Sequence, residues 1–107
     1  MLEVINLFST PASTVSTSTP LYCETRDTVN DLKSFQAVVA GTGAVSAVVN
    51  IEVSNNGVDW LVLSTLSLSG TTRATDGFVA NGPWAQFRGN VTSISGTAAT
   101  VQVIAGI

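Results

Sequence analysis

Histidine is absent from this 107-residue chain. With it go the Ser-His-Asp and Cys-His arrangements of nucleophilic catalysis and the commonest nitrogen ligand of metal sites. Charge is scarce as well: Asp, Glu, Lys and Arg make up 10% of the residues, against about 25% in an ordinary soluble domain. The basic residues Arg26, Lys33, Arg73 and Arg88 are scattered. No basic patch is available to neutralise phosphates, so nucleic acid is not an expected partner. The single cysteine, Cys23, excludes an internal disulfide and offers no metal-ligand spacing. Set between Tyr22 and Glu24 in a strand-like run, it reads as a buried, inert thiol. No apolar run approaches the length of a membrane span. The opening MLEVINLFST carries Glu3 where an export signal needs positive charge. The expectation is a protein made in a cytoplasm, with no membrane partner. Helical periodicity is nearly absent too: TVNDLKSF, after Thr28, is the one candidate for a helical turn.

What is present is a core and a neutral surface. Hydrophobic residues make up 45% of the chain, enough for one domain with one core. Ser and Thr account for roughly a quarter of the residues, well above average usage. Hydroxyls solvate a surface but repel neighbouring molecules poorly, and a freely diffusing monomer usually keeps more charge. The cores of protein–protein interfaces are depleted in charge in the same way. Composition thus points to a protein that lives assembled, with a Ser/Thr-rich extracellular β-domain as the alternative.

Alternation with period two dominates the pattern. Val45, Ala47, Val49, Ile51 and Val53 fall on one face of VSAVVNIEVS; Phe35, Ala37 and Val39 do so in KSFQAVVAG. Ala85, Phe87, Gly89 and Val91 share a face in WAQFRGNVTSI, as do Val101, Val103 and Ala105 in ATVQVIAGI. These are half-buried strands rich in β-branched residues. AGTGA (40–44), NNG (55–57), SGTT (69–72), NGP (81–83) and SGTAA (95–99) read as the turns between them. About six strands are expected from Lys33 to Ile107 at this spacing. The expected fold is an all-β antiparallel sandwich or jelly roll, covering residues 21–107. Residues 1–20 are expected to be a strand, LEVINLF, followed by a Ser/Thr/Pro-rich segment (9–20) too poor in apolar residues to order itself. That segment is either an arm that orders on contact with a neighbouring subunit or a plain surface loop.

The polar residues offer no catalytic constellation. Glu24, Asp27 and Asp31 lie close to Arg26 and Lys33 and read as a solvated, locally paired turn rather than a glycosidase pair. Asp59 follows NNG, but the dense oxygen ligands of a calcium loop are missing. Asn90-Val91-Thr92 matches a glycosylation acceptor, inside an expected strand, and reads as chance. No enzyme activity, cofactor or metal is expected. Trp60 and Trp84, with Tyr22, could form a platform for sugar rings. Each tryptophan, however, starts a strand directly beside a turn, a position suited to closing the end of a core, so Trp60, Trp84 and Phe87 are expected as core anchors.

Two stretches carry a resemblance. SNNGVDWLVL (54–63) resembles the S-x-D-G-x-x-W-x-x-L hairpin of discoidin-like sandwiches and of many small virion proteins of tailed bacteriophages. GPWAQFRGNVTSISGTAATVQVIAGI (82–107) is similar to the closing strands of such phage proteins, where an aromatic-led strand runs into an R-x-N-V-T-x-I-S-G-T hairpin and a valine-rich last strand. Discoidin domains are longer and usually carry a disulfide; this chain has one cysteine, which takes weight from the sugar- or lipid-binding reading. The phage resemblance implies a non-enzymatic virion protein made in the host cytoplasm: a head decoration (cement) protein seated on the major capsid protein, or a tail or baseplate accessory piece. It also implies a homo-oligomer, as a trimer. Adhesion would come from many weak contacts multiplied by oligomerisation. The expected contact element is the opening strand and arm, with the alternate positions Leu2, Val4, Asn6 and Phe8 together with Pro11 and Pro20. A carbohydrate-binding module remains the alternative.

Overall fold

The computed structural model describes residues 4–22, 32–81 and 84–106. Three short strands, β1 (Val4–Asn6), β2 (Ser16–Thr17) and β3 (Leu21–Tyr22), precede three long ones, β4 (Leu32–Ser54), β5 (Leu61–Asn81) and β6 (Gln86–Gly106). All pairings are antiparallel. The long strands lie in the order β6-β4-β5, and β1, β2 and β3 all line the outer edge of β6.

The long strands cannot be straight. Twenty-three residues of β4 would span about 75 Å when extended, but the longest dimension of the molecule is 45 Å. Each strand folds back on itself near its middle, and the sheet doubles over into two layers. Residues 32–40, 74–81 and 100–106 with β1 form the first layer. Residues 44–54, 61–71 and 86–95 with β2 and β3 form the second. The bends coincide with shifts in strand register between Ala40 and Ala44 and between Thr42 and Ser46. They also hold the positive-φ residues Gly43, Thr72, Gly96 and Ala98. Closure is direct within β6: a Cβ on Gly89 would sit 3.0 Å from Val103 Cγ2, although the two are fourteen residues apart in one strand. Phe35 of the first layer meets Phe87 of the second, ring centroids 5.2 Å apart. The fold is therefore the all-β antiparallel sandwich that the alternation implied, built from one folded sheet.

The alternating rows supply its core. Phe35, Ala37, Val39, Val49, Ile51, Val53, Phe87, Val91, Val101, Val103 and Ala105 are all nearly inaccessible to solvent, and Gly89 is buried among them. The punctuation differs in part from the expectation. AGTGA, SGTT and SGTAA do not separate strands; they are bends inside β4, β5 and β6, where pairing resumes after an irregularity. NNG lies at the chain reversal between β4 and β5, and Gly82 and Pro83 of NGP lie outside the described residues, so the six expected strands are the halves of three. Gly96 shows why the bend selects glycine: its φ is 127°, and a Cβ there would lie 2.8 Å from the Ala44 carbonyl oxygen.

The N-terminal segment corrects a further expectation. Residues 9–20 lie along the sheet of their own chain, as the surface-loop reading has it. Leu7 and Ala12 donate their N–H groups to the Val103 and Val101 carbonyls, and Ser18 donates to the Gly89 carbonyl, each at 2.8 Å. Gln102 clamps Phe8, accepting its N–H at 3.1 Å and donating to its carbonyl at 2.8 Å. Leu7, Phe8, Ala12 and Leu21 join the core cluster. Apolar content alone did not predict this order, because the open edge of β6 supplies main-chain partners that a Ser/Thr-rich segment can use. The chain from Ala12 to Ser16 also crosses between layers, since Ala12 bridges Val101 and Ser16 pairs with Val91.

Candidate interaction surfaces

Among the described residues no group of three or more Cys, Asp or Glu side chains is placed to hold a metal ion, and every buried side-chain polar atom has a hydrogen-bond partner. The outer faces of the two layers carry what chemistry the surface has.

On the second layer a cluster forms around Glu52. This residue follows Ile51 on β4, so alternation turns it outward, yet it is 7% exposed. Arg88 Nε donates to Glu52 Oε1 at 2.7 Å, and Asn90 Nδ2 donates to Oε2 at 3.0 Å. The register brings them together, since Glu52 pairs with Arg88 and Asn50 with Asn90. The Arg88 guanidinium lies over the Trp60 ring, 4.2 Å from its centroid. A stack of this kind contributes about 0.5–2 kcal/mol, depending on desolvation. The turn before Trp60 is pinned by Asn56, whose Oδ1 accepts the N–H groups of Val58 and Asp59 at 2.9 Å. Gly57, at φ 75°, donates to Ser54 Oγ at 2.8 Å.

Trp60 is thus not a core anchor. It is half-buried, lies outside the core cluster and lids an ion pair. The Leu61 that follows it pairs with inward Val53; the register puts Trp60 past the end of the core row. Trp84 is half-buried and packs against the core, and Phe87 sits inside it at 1% exposure. For a sugar platform, Trp60 has Arg88 stacked on it and Trp84 is engaged with the core. The side chain of Tyr22 lies outside the described residues.

The outer face of the first layer is different. Ser34 pairs with Val79, Gln36 with Gly77 and Ile104, and Val38 with Thr75 and Gln102. Val4 and Asn6 of β1 extend these rows, opposite Gly106 and Ile104. Paired residues share a face, so this surface carries no charged side chain between Val4 and Val79; Arg73 stands at its far end, at the bend. Val4 and Val79 are 64% and 66% exposed. Of the residues expected to make contacts, Val4 and Asn6 lie here, Phe8 is buried against its own sheet, and Pro11 is exposed while Pro20 is half-buried. Leu2 lies outside the described residues, as do Cys23 and the acidic run 24–31. The ionisable side chains of the described residues balance: Lys33, Arg73 and Arg88 against Glu52, Asp59 and Asp76. The net charge of −3 therefore resides in Glu3, Glu24, Arg26, Asp27 and Asp31.

No protein-family model and no curated protein matches the chain. Among solved structures it is similar to the SPBc2 prophage-derived protein YomS, with a TM-score of 0.60 over all of this chain and 94% of that one, at 16% identity. That likeness is one of fold.

Proposed function

We propose that this chain is a structural protein of a tailed-phage virion, a head decoration protein that adheres to the capsid as an oligomer. The observation that carries the reading is the uncharged outer face of the first layer, on a body whose described side chains sum to zero charge. Such a surface is suited to lying against another protein, because association there requires little desolvation of ions. The fold shared with a prophage-derived protein and the phage-like hairpins at 54–63 and 82–107 support the phage setting. The mechanism is adhesion: neutral Ser, Thr, Gln and Val side chains make weak contacts, and linking several copies multiplies their effect by about 10²–10⁴. Neither tryptophan is a free platform, which argues against the carbohydrate-binding alternative.

The test is a search for the chain in purified particles from the source strain, by mass spectrometry and by antibody labelling under the electron microscope. Label over heads is the expected result. Label on tails would move the protein to a tail or baseplate role, and absence from particles would overturn the reading.

A further inference from the structure

The turn between β4 and β5 holds the pair Asn56-Gly57. In such a pair the glycine main-chain nitrogen, with no side chain beside it, can attack the asparagine Cγ. The new N–C bond closes a five-membered succinimide, and the side-chain nitrogen leaves as ammonia. Water then opens the ring at one carbonyl to aspartate, or at the other to isoaspartate, which adds a methylene to the main chain. One water is consumed and one ammonia released, and no oxidant or catalyst is needed. Asparagine counts among the thermally labile residues. The turn nevertheless selects both members of the pair. Gly57 has φ 75°, and a Cβ on it would lie 2.8 Å from Gln86 Nε2, so a larger residue is strained there. Asn56 uses both halves of its amide. Its Oδ1 accepts the N–H groups of Val58 and Asp59 and the Ser54 hydroxyl, the last at 3.1 Å, and its Nδ2 donates to Asp59 Oδ2 at 3.0 Å. An aspartate could accept the same bonds but would set a second carboxylate against Asp59.

We propose that Asn56 is a self-modification site of this chain, held unreacted by the bonds of its own turn. Each reacting atom is tethered. Attack requires Gly57 to give up the proton on its nitrogen, and that N–H donates to Ser54 Oγ at 2.8 Å. It also requires the Asn56 side chain to swing its Cγ onto that nitrogen, which breaks the bonds to Val58, Asp59 and Ser54 together. Ser54 is 1% exposed, so the Gly57 bond lies where water does not readily replace it. Asn56 itself is exposed, and the water that would open the ring has free access. The protection is therefore geometric. The same turn carries Trp60 onto Arg88, at 4.2 Å. An added main-chain methylene at position 56 would lengthen the turn and unseat that stack, so the lock guards the outer cluster of the second layer as well as one amide.

The proposal is independent of the virion reading and holds whatever the partner is. Its test is the rate of deamidation at Asn56 in the full chain, at one mildly alkaline pH, with and without denaturant. The readout is the mass gained when an amide becomes an acid, located by peptide fragmentation. Trypsin cleavage after Lys33 and Arg73 places Asn56 in a different peptide from Asn81-Gly82. The folded chain should react about tenfold or more slowly than the unfolded one, because several hydrogen bonds must open first. Ser54→Ala removes the acceptor of the Gly57 N–H and one donor to Oδ1, and should quicken the folded rate about tenfold. Asp59→Ala frees Nδ2 alone and should quicken it about threefold. Thermal melting confirms that each variant is folded; if Ser54→Ala is not, exposed Asp59→Ala and the wild-type comparison decide. Equal rates in the folded and unfolded wild type would overturn the proposal. So would folded variants that react no faster than wild type. A slower Ser54→Ala chain would overturn it too, by showing that the hydroxyl relays a proton and promotes attack.

Discussion

The outer faces of the two layers are made by the same three strands, and they differ in how they use charge. On the second layer Glu52 bonds Arg88 and Asn90, and Arg88 stacks on Trp60, at the end of the layer away from the bend, while the rows nearer the bend hold exposed Ser67, Ser69, Ser93 and Ser95. On the first layer the equivalent rows hold Ser, Thr, Gln and aliphatic side chains, with Val4 and Val79 standing in solvent. A face whose polar groups are mutually satisfied has little left to offer a partner. A neutral face with exposed valines can be covered without burying an ion. The asymmetry teaches that low total charge is not spread evenly: one ion pair is locked into the outer face of the second layer, while the outer rows of the first layer between Val4 and Val79 hold none.

The largest effect should come from undoing what both layers share. Phe87 is 1% exposed and meets Phe35 across the core at 5.2 Å. Phe87→Ala should cost about 3–5 kcal/mol, a large part of the about 5–15 kcal/mol that holds a small domain together. Denaturant unfolding followed by tryptophan fluorescence would check it. A loss under about 1 kcal/mol would mean that the layers are not held by this contact, and the comparison of their outer faces would lose its frame.

The next effect is specific to the second layer. The Glu52 and Arg88 side chains are 9% and 24% exposed. Arg88→Ala leaves a nearly buried carboxylate with Asn90 as its remaining partner and should cost about 2–4 kcal/mol. The double variant Glu52→Leu/Arg88→Leu should recover much of that, since removing both ions also removes the desolvation penalty. Trp60→Ala should cost less, about 1–2 kcal/mol, as it removes the stack on Arg88 but leaves the ion pair. All three are read as shifts in the unfolding midpoint. None should alter retention of the protein on particles, because this face satisfies itself.

The inner rows of both layers were legible in the sequence, and the outer cluster was not. Alternation placed Phe35, Val49, Ile51, Phe87 and Val101 correctly because burial on one face imposes a period of two. The bends escaped because Gly and Thr serve equally in a hairpin turn and in a strand that folds over while keeping its pairing; only the distance between halves tells them apart. Glu52 and Arg88 are thirty-six residues apart, and their meeting depends on a register that no local pattern carries. Its place at a strand start beside a turn makes Trp60 read as a core anchor, whereas the turn pinned by Asn56 puts it beyond the last inward position. The Ser/Thr segment 9–20 was judged by its own composition, when its order comes from the edge of β6.

The smallest effect on stability should accompany the largest contrast in function. Val79 is exposed on the neutral face, in the first-layer half of β5. Ser93 is exposed on β6, outward on the second layer by its pairing with Val48. Val79→Glu and Ser93→Glu each place one carboxylate on an open surface, and each should move stability by no more than about 0.5 kcal/mol. If the bare face is the adhesive one, Val79→Glu lowers retention on heads, measured as protein remaining on particles after washing, because the new ion must be desolvated or left unpaired at the contact. Ser93→Glu, which adds the same charge to a face that makes no such contact, leaves retention unchanged. Equal losses from both would show that net charge alone governs adhesion, and that the difference between the faces has no functional meaning.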